Sequence, residues 1–176
     1  MHTTFARLNI SIFLGALMAL KRKNIIQKMK ITDSNLSNQI LEMVENKVGN
    51  IYFFDVVAVI ELNEGIHFDM NNSKLIIDEL KLYYGNRRPF SILSNRINSY
   101  SIEVIKLMQF KRKIKNLAGY AVVAHNAASI MNAELENLYC KTNNICFTNI
   151  NEAFIYVQQK VTDRTNKSTN LYQLEQ

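Results

Sequence analysis

From Asn50 onward the chain alternates β-rich apolar runs with helical repeats. Ile51-Tyr52-Phe53-Phe54 and Val56-Val57-Ala58-Val59-Ile60-Glu61-Leu62 are parted by Asp55, a spacing that predicts a tight hairpin. The second run is almost continuously apolar, as in a strand covered on both faces. Asn63-Glu64-Gly65 then breaks it. Asp69 to Asn72 supply helix-start residues. Leu75, Ile76, Ile77, Leu80, Tyr83 and Tyr84 recur at helical steps, and Gly85-Asn86 is a helix stop. Phe90-Ser91-Ile92-Leu93 predicts the next strand, followed by a polar loop from Ser94 to Tyr100. Ser101 and Glu103 suit a helix N-terminus, with Ile102, Val104, Ile105 and Met108 on its buried side.

Tyr120-Ala121-Val122-Val123-Ala124 reads as another buried strand, and His125-Asn126 leads into a helix carrying Ile130, Met131, Leu135 and Leu138. Ile145-Cys146-Phe147 is a short final strand. Thr148 or Asn149 precedes a last helix with Ala153, Phe154, Val157 and Val161. The predicted order is β-β-α-β-α-β-α-β-α, an α/β domain with a mixed, mostly parallel sheet and one antiparallel neighbour from the opening hairpin. The domain is expected over residues 50–161. A polar, patchy lead-in with a turn or two of helix around Ile40, Leu41 and Val44 is expected over 31–49, and a disordered polar tail over 162–176.

Charge changes the picture less than its total suggests. The chain carries a net charge of +6. Arg7, Lys21, Arg22, Lys23, Lys28 and Lys30 fall within the first 30 residues, which hold no acid. The other 15 basic residues match all 15 acidic ones, so residues 31–176 are neutral. A neutral domain has weak long-range attraction for phosphate backbones, and no nucleic-acid partner is expected.

Residues 1–30 contain an eleven-residue apolar run, Ile10 to Leu20, flanked by basic residues. A membrane span needs about 20 apolar residues. Three readings stand: an interfacial basic anchor, an atypical signal, or upstream sequence translated from an early start codon, with Met29 the natural start. The third is preferred, and the domain is expected to be cytoplasmic, with membrane association only if residues 1–30 act as an anchor. Cys140 and Cys146 are expected to be reduced packing residues.

The stretch of greatest functional interest is the Ser94–Ser101 loop. A strand that ends in hydroxyls and amides and feeds a helix start is where α/β domains place working surfaces. Ser94, Asn95, Arg96, Asn98, Ser99, Tyr100 and Ser101 are the candidate binding residues, with Ser99 and Ser101 as candidate phosphorylation sites. A phosphate at a helix N-terminus would meet free backbone N–H groups and the positive end of the dipole, with Arg96 adding a charge-assisted contact. The bland alternative is that Ser101 caps a helix while Asn95 and Asn98 make turn bonds. His125 lies past a strand end, a place for a catalytic base, but no Ser/Asp partner or metal-ligand spacing accompanies it in sequence. Glu61 and Glu64 read as a solvent-facing strand residue and a turn residue. No glycine-rich phosphate loop is present, and no cofactor or metal is implied.

This element order resembles the sulfate-transporter and anti-sigma-factor-antagonist (STAS-like) domain, in particular small stand-alone bacterial members. The resemblance rests on Phe53-Phe54-Asp55 with the Val56–Leu62 strand, Asn63-Glu64-Gly65, the Ser94–Ser101 segment and Met131-Asn132-Ala133-Glu134. In antagonist members a partner kinase phosphorylates a hydroxyl near the start of the helix after the third strand, where Ser99 and Ser101 fall by position. The resemblance implies a non-enzymatic regulatory module that recognises a protein partner, a regulator or a kinase. Separately, the exposed strand of the opening hairpin offers an edge for homodimerisation. The alternative is a small-molecule or lipid-binding domain, and an enzyme ranks below both.

Overall fold

The computed structural model describes residues 28–103, 109–110, 112–140 and 145–174. The leader, residues 1–27, and the body of the helix expected after Ser101 therefore lie outside the described residues. The chain is α/β. Its main sheet is built from β1 (Glu42–Asn46), β2 (Gly49–Phe53), β3 (Val57–Leu62), β5 (Phe90–Arg96), β7 (Leu117–Ala124) and β8 (Cys146–Phe147), side by side in that order. The β1/β2 and β2/β3 pairs are antiparallel, and the three remaining pairs are parallel. A second, two-stranded parallel ribbon joins β4 (His67–Phe68) to β6 (Ser101–Ile102).

Strand alternation gives the sheet two buried faces. Ala58, Ile60, Phe90, Ile92 and Val122 point to one face, which is covered by Ile76, Ile77, Leu80 and Tyr84 of α1 (Met70–Tyr84) and Ala133 of α2 (Ala127–Cys140). Val57, Val59, Leu93, Ala121 and Val123 point to the other, which is covered by Ala153, Phe154 and Val157 of α3 (Ile150–Leu174). The crossovers through α1 and α2 advance across the sheet in one direction. Right-handed connections of that kind put both helices on one face and leave the other to α3. Helix ends follow local chemistry. The Asp69 carboxylate accepts from the N–H groups of Asn71 and Asn72, and Gly85 leaves α1 at φ 66°.

Several expectations are corrected. Residues 31–49 are part of the domain. Two 3-10 turns, Ile31–Asp33 and Ser37–Gln39, pack on the α3 face, where Ile31 is fully buried. Glu42–Asn46 is a strand. That strand covers the free side of the hairpin, so β2 is paired on both sides and β1 is the edge. The strand at Phe90 continues through Arg96, seven buried residues in a row, so Ser94, Asn95 and Arg96 belong to a strand rather than a loop. Ser101 is a strand residue, not a helix cap: its N–H donates to Ile66 O at 3.0 Å within the β4/β6 ribbon. From Thr162 the chain is helical through Leu174. In α2 the apolar face points outward. Met131, Leu135 and Leu138 are exposed, and Ser129, Ala133 and Glu136 are buried.

Candidate functional site

Two buried polar clusters sit at the C-terminal end of β5, one on each side of the sheet. They arise from a two-residue alternation: Asn95 faces α3, and Ser94 and Arg96 face α2. Asn95 is fully buried. Its amide donates to Glu61 Oε1 at 2.6 Å and to Met29 O at 2.9 Å. Both amide hydrogens are then used, so Asn95 Oδ1 accepts, and the 2.7 Å contact with His125 places a hydrogen on Nε2 of the imidazole. Glu61 Oε1 also accepts from the Ile31 N–H at 2.7 Å. Burial raises the Glu61 carboxyl above its ordinary value, against the opposing pull of the Ile31 N–H and the Asn95 amide. Glu61 is thus a buried link between sheet and N-terminal segment, not a solvent-facing strand residue.

On the other side, Arg96 Nη2 donates to Glu136 Oε1, and Tyr120 Oη donates to Glu136 Oε2 at 3.1 Å. The Tyr100 ring centre lies 6.0 Å from Arg96 Cζ, and its hydroxyl meets Ser94 Oγ at 3.3 Å. Burial works against the Arg96 charge, but Tyr120, Tyr100 and Glu136 outweigh it and hold the guanidinium more firmly protonated than usual. Burial raises the Tyr120 and Tyr100 hydroxyls. Arg96 opposes that rise at both hydroxyls, through its charge and through side-chain hydrogen bonding.

Above this pair the chain forms an arm, Ile97 to Ile102. Asn98 Nδ2 donates to Leu62 O at 2.8 Å, and the Ser99 N–H donates to Glu64 Oε2 at 2.8 Å. Gly65 N–H returns a bond to Ser99 O at 2.8 Å, with φ +74° at Gly65. Ser99 and Ser101 are exposed. Ser101 Oγ meets His67 Nδ1 at 2.7 Å. Between the arm and the start of α2 lies a cavity of about 80 Å³, lined by Arg96, Asn98, Ser99, Asn126, Ser129 and Asn132 among others. Asn126 caps α2, its Oδ1 accepting from the Ser129 N–H at 2.8 Å.

The structure therefore splits the predicted set. Arg96, Asn98, Ser99 and Tyr100 converge on the cavity, and Ser94 supports Tyr100 from below. Asn95 belongs to the opposite face, and Ser101 is engaged by His67. Sequence reasoning missed Glu136 and Tyr120. The available signal was Arg96 itself: a cation closing an apolar strand needs a buried acid, and Glu136 shares a helix face with Ser129 and Ala133.

A second, apolar gap of about 30 Å³ lies between the sheet and Phe68, Tyr100 and Phe110. Among the described residues no group of three or more His, Cys, Asp or Glu is placed to hold a metal ion, and no helix is long and apolar enough to cross a membrane. Burial raises the Cys146 thiol, and the side chain of Cys140 lies outside the described residues. Comparisons with protein-family models, curated proteins and solved structures find no match to this chain.

Proposed function

We propose that this protein is a non-enzymatic, cytoplasmic regulatory module of STAS-like descent. It engages a protein partner through the arm at Asn98–Ser101 and the outward face of α2. The observation that carries this reading is the inverted helix: Met131, Leu135 and Leu138 are 62%, 45% and 77% exposed on a helix whose inward face holds a glutamate. Apolar side chains spaced at helical intervals on one exposed face suit burial against a partner groove. Ser99 stands exposed beside the start of that helix and Ser101 is exposed in the adjoining ribbon, where a kinase can reach them. A phosphate on Ser99 would repel the Glu64 carboxylate that holds its N–H, which offers a way to couple modification to the shape of the arm.

The test is affinity capture from the native host with the full chain, followed by mass spectrometry. Leu135→Glu with Leu138→Glu, and separately Ser99→Asp, should each lose partners that the unmodified chain retains. Identical partner sets for all three baits would end the reading.

A further inference from the structure

The neutral total of residues 31–176 conceals a separation of charge along the strands. Glu61, Glu64, Asp69 and Glu103 lie at the end where the parallel strands finish. The end where β5 and β7 begin is basic. Three segments meet there, and hydrogen bonds tie them together. Asn116 Nδ2 donates to Gly85 O at 3.2 Å and to Arg88 O at 2.6 Å, joining the turn that carries Arg87 and Arg88 to the turn that carries Lys115. Arg112 and Lys113 come just before that turn. Arg164 of α3 donates from Nη1 to Leu117 O at 2.7 Å and from Nη2 to Lys115 O at 2.8 Å, which brings in Lys160 and Lys167, one helical turn to either side.

Residues 85–90, 112–119 and 160–168 hold eight bases and a single acid, Asp163, whereas the rest of residues 31–176 hold seven bases and fourteen acids. Asp55 reaches this end from the β2/β3 turn and is taken by Arg88. Arg87, Arg112, Lys113, Lys115 and Lys167 are exposed. Like charges gathered on one face repel one another, and a polyanion laid across them removes that cost. The shape narrows the choice of polyanion. Arg164 is bonded to Leu117, the first residue of β7, so the last ten residues of α3, about 15 Å of helix, run past the edge of the sheet. The basic turns and the projecting helix form a corner, which a flat bilayer cannot follow and a flexible chain of phosphates can. The exposed residues among the bases are Asn86, Thr165, Asn166 and Ser168, not the aromatic and aliphatic wedges of a membrane-surface helix.

We infer that this basic end of the sheet binds the phosphate backbone of a nucleic acid. The assignment reverses the expectation drawn from net charge alone, and it does not depend on the α2 reading above. The contacts are with phosphates, so binding is salt-dependent and indifferent to base sequence.

The test measures fluorescence anisotropy of labelled probes of about 20 nucleotides, a single-stranded RNA and a duplex DNA, with the full chain between about 50 and 200 mM salt. Arg87→Gln with Arg112→Gln and Lys115→Gln removes three exposed charges from the basic end. Lys21→Gln with Arg22→Gln and Lys23→Gln removes three from the leader and serves as the control. The first variant should bind at least about tenfold more weakly, with the slope of log K against log salt flatter by about 2 to 3, and the control should bind within about twofold of the unmodified chain. Binding of the RNA alone or of the DNA alone would name the form of nucleic acid and uphold the site. The inference fails if neither probe binds at the lowest salt, or if the leader variant loses as much affinity as the first. It also fails if the chain sediments with vesicles of mixed neutral and anionic lipid while leaving both probes free, which would assign the face to a membrane.

Discussion

Arg96, the last residue of β5, and Glu136, in the third turn of α2, form an ion pair sealed from water, with side chains 3% and 0% exposed. Each charge is tolerated only because the other is present. The pair also decides how α2 lies on the sheet, since Glu136 must face inward for Arg96 to be matched.

Breaking the pair from one side should be severe. Glu136→Gln or Arg96→Met is expected to cost about 3–5 kcal/mol in urea unfolding. Replacing both together, Arg96→Met with Glu136→Leu, should recover most of that loss, because no uncompensated buried charge remains. A double variant as unstable as the worse single variant would show that the pair is not the governing contact.

Glu61 should make the fold pH-sensitive. Its carboxyl is raised above the ordinary 4.5, chiefly by burial. Such a group binds its proton more tightly folded than unfolded, so its contribution favours the folded state at low pH and is lost as pH climbs through the window above 4.5. Glu61→Gln keeps an oxygen that can accept from Ile31 and Asn95. Its stability relative to the unmodified chain should therefore rise with pH across that window. Denaturant unfolding of both proteins at a series of pH values measures the difference, and parallel curves would contradict the assignment.

Gly119 of β7 lies directly under Lys160 of α3. A Cβ there would lie 2.6 Å from Lys160 Cβ and 2.8 Å from Ser91 Oγ. Gly119→Ala should displace α3 and cost roughly 1–3 kcal/mol by overpacking. Thermal or urea unfolding reads this directly, and a neutral result would mean that α3 has slack over β7.

The arm should loosen without its carboxylate clamp. Glu64→Ala removes the acceptor of the Ser99 N–H while leaving the Gly65 to Ser99 bond in place. Amide exchange at Ser99 is expected to quicken about tenfold, with core strands unaffected. Unchanged exchange at Ser99 would show that the ribbon alone fixes the arm.

Legibility in the sequence followed the locality of the signal. The hairpin around Asp55 is present, with Phe54 N–H bonded to Val57 O across the turn. The helix from Asp69 to Gly85 and the strands at Phe90 and Tyr120 stand where the apolar pattern put them. Those elements rest on neighbouring residues: caps, stops and continuous apolar runs. β1 has little apolar alternation of its own and is a strand through its pairing with β2. Ser101 carries the chemistry of a helix start, but its backbone is claimed by β4. Arg96 was placed in the right neighbourhood, with its partner unseen 40 residues away.

The sequence by itself determined an α/β alternation, the positions of most strands and helices, and a neutral body after residue 30, because each is written in short-range periodicity or in simple charge. The tertiary structure alone decided that α2 turns its leucines outward, that Asn95 and Arg96 anchor polar clusters on opposite faces, and that Ser99 shares a cavity with a buried cation. The reason is energetic. Apolar periodicity favours burying the leucines of α2, but an unmatched guanidinium in the interior costs more than leaving them in water, and only the assembled fold weighs those two terms against each other.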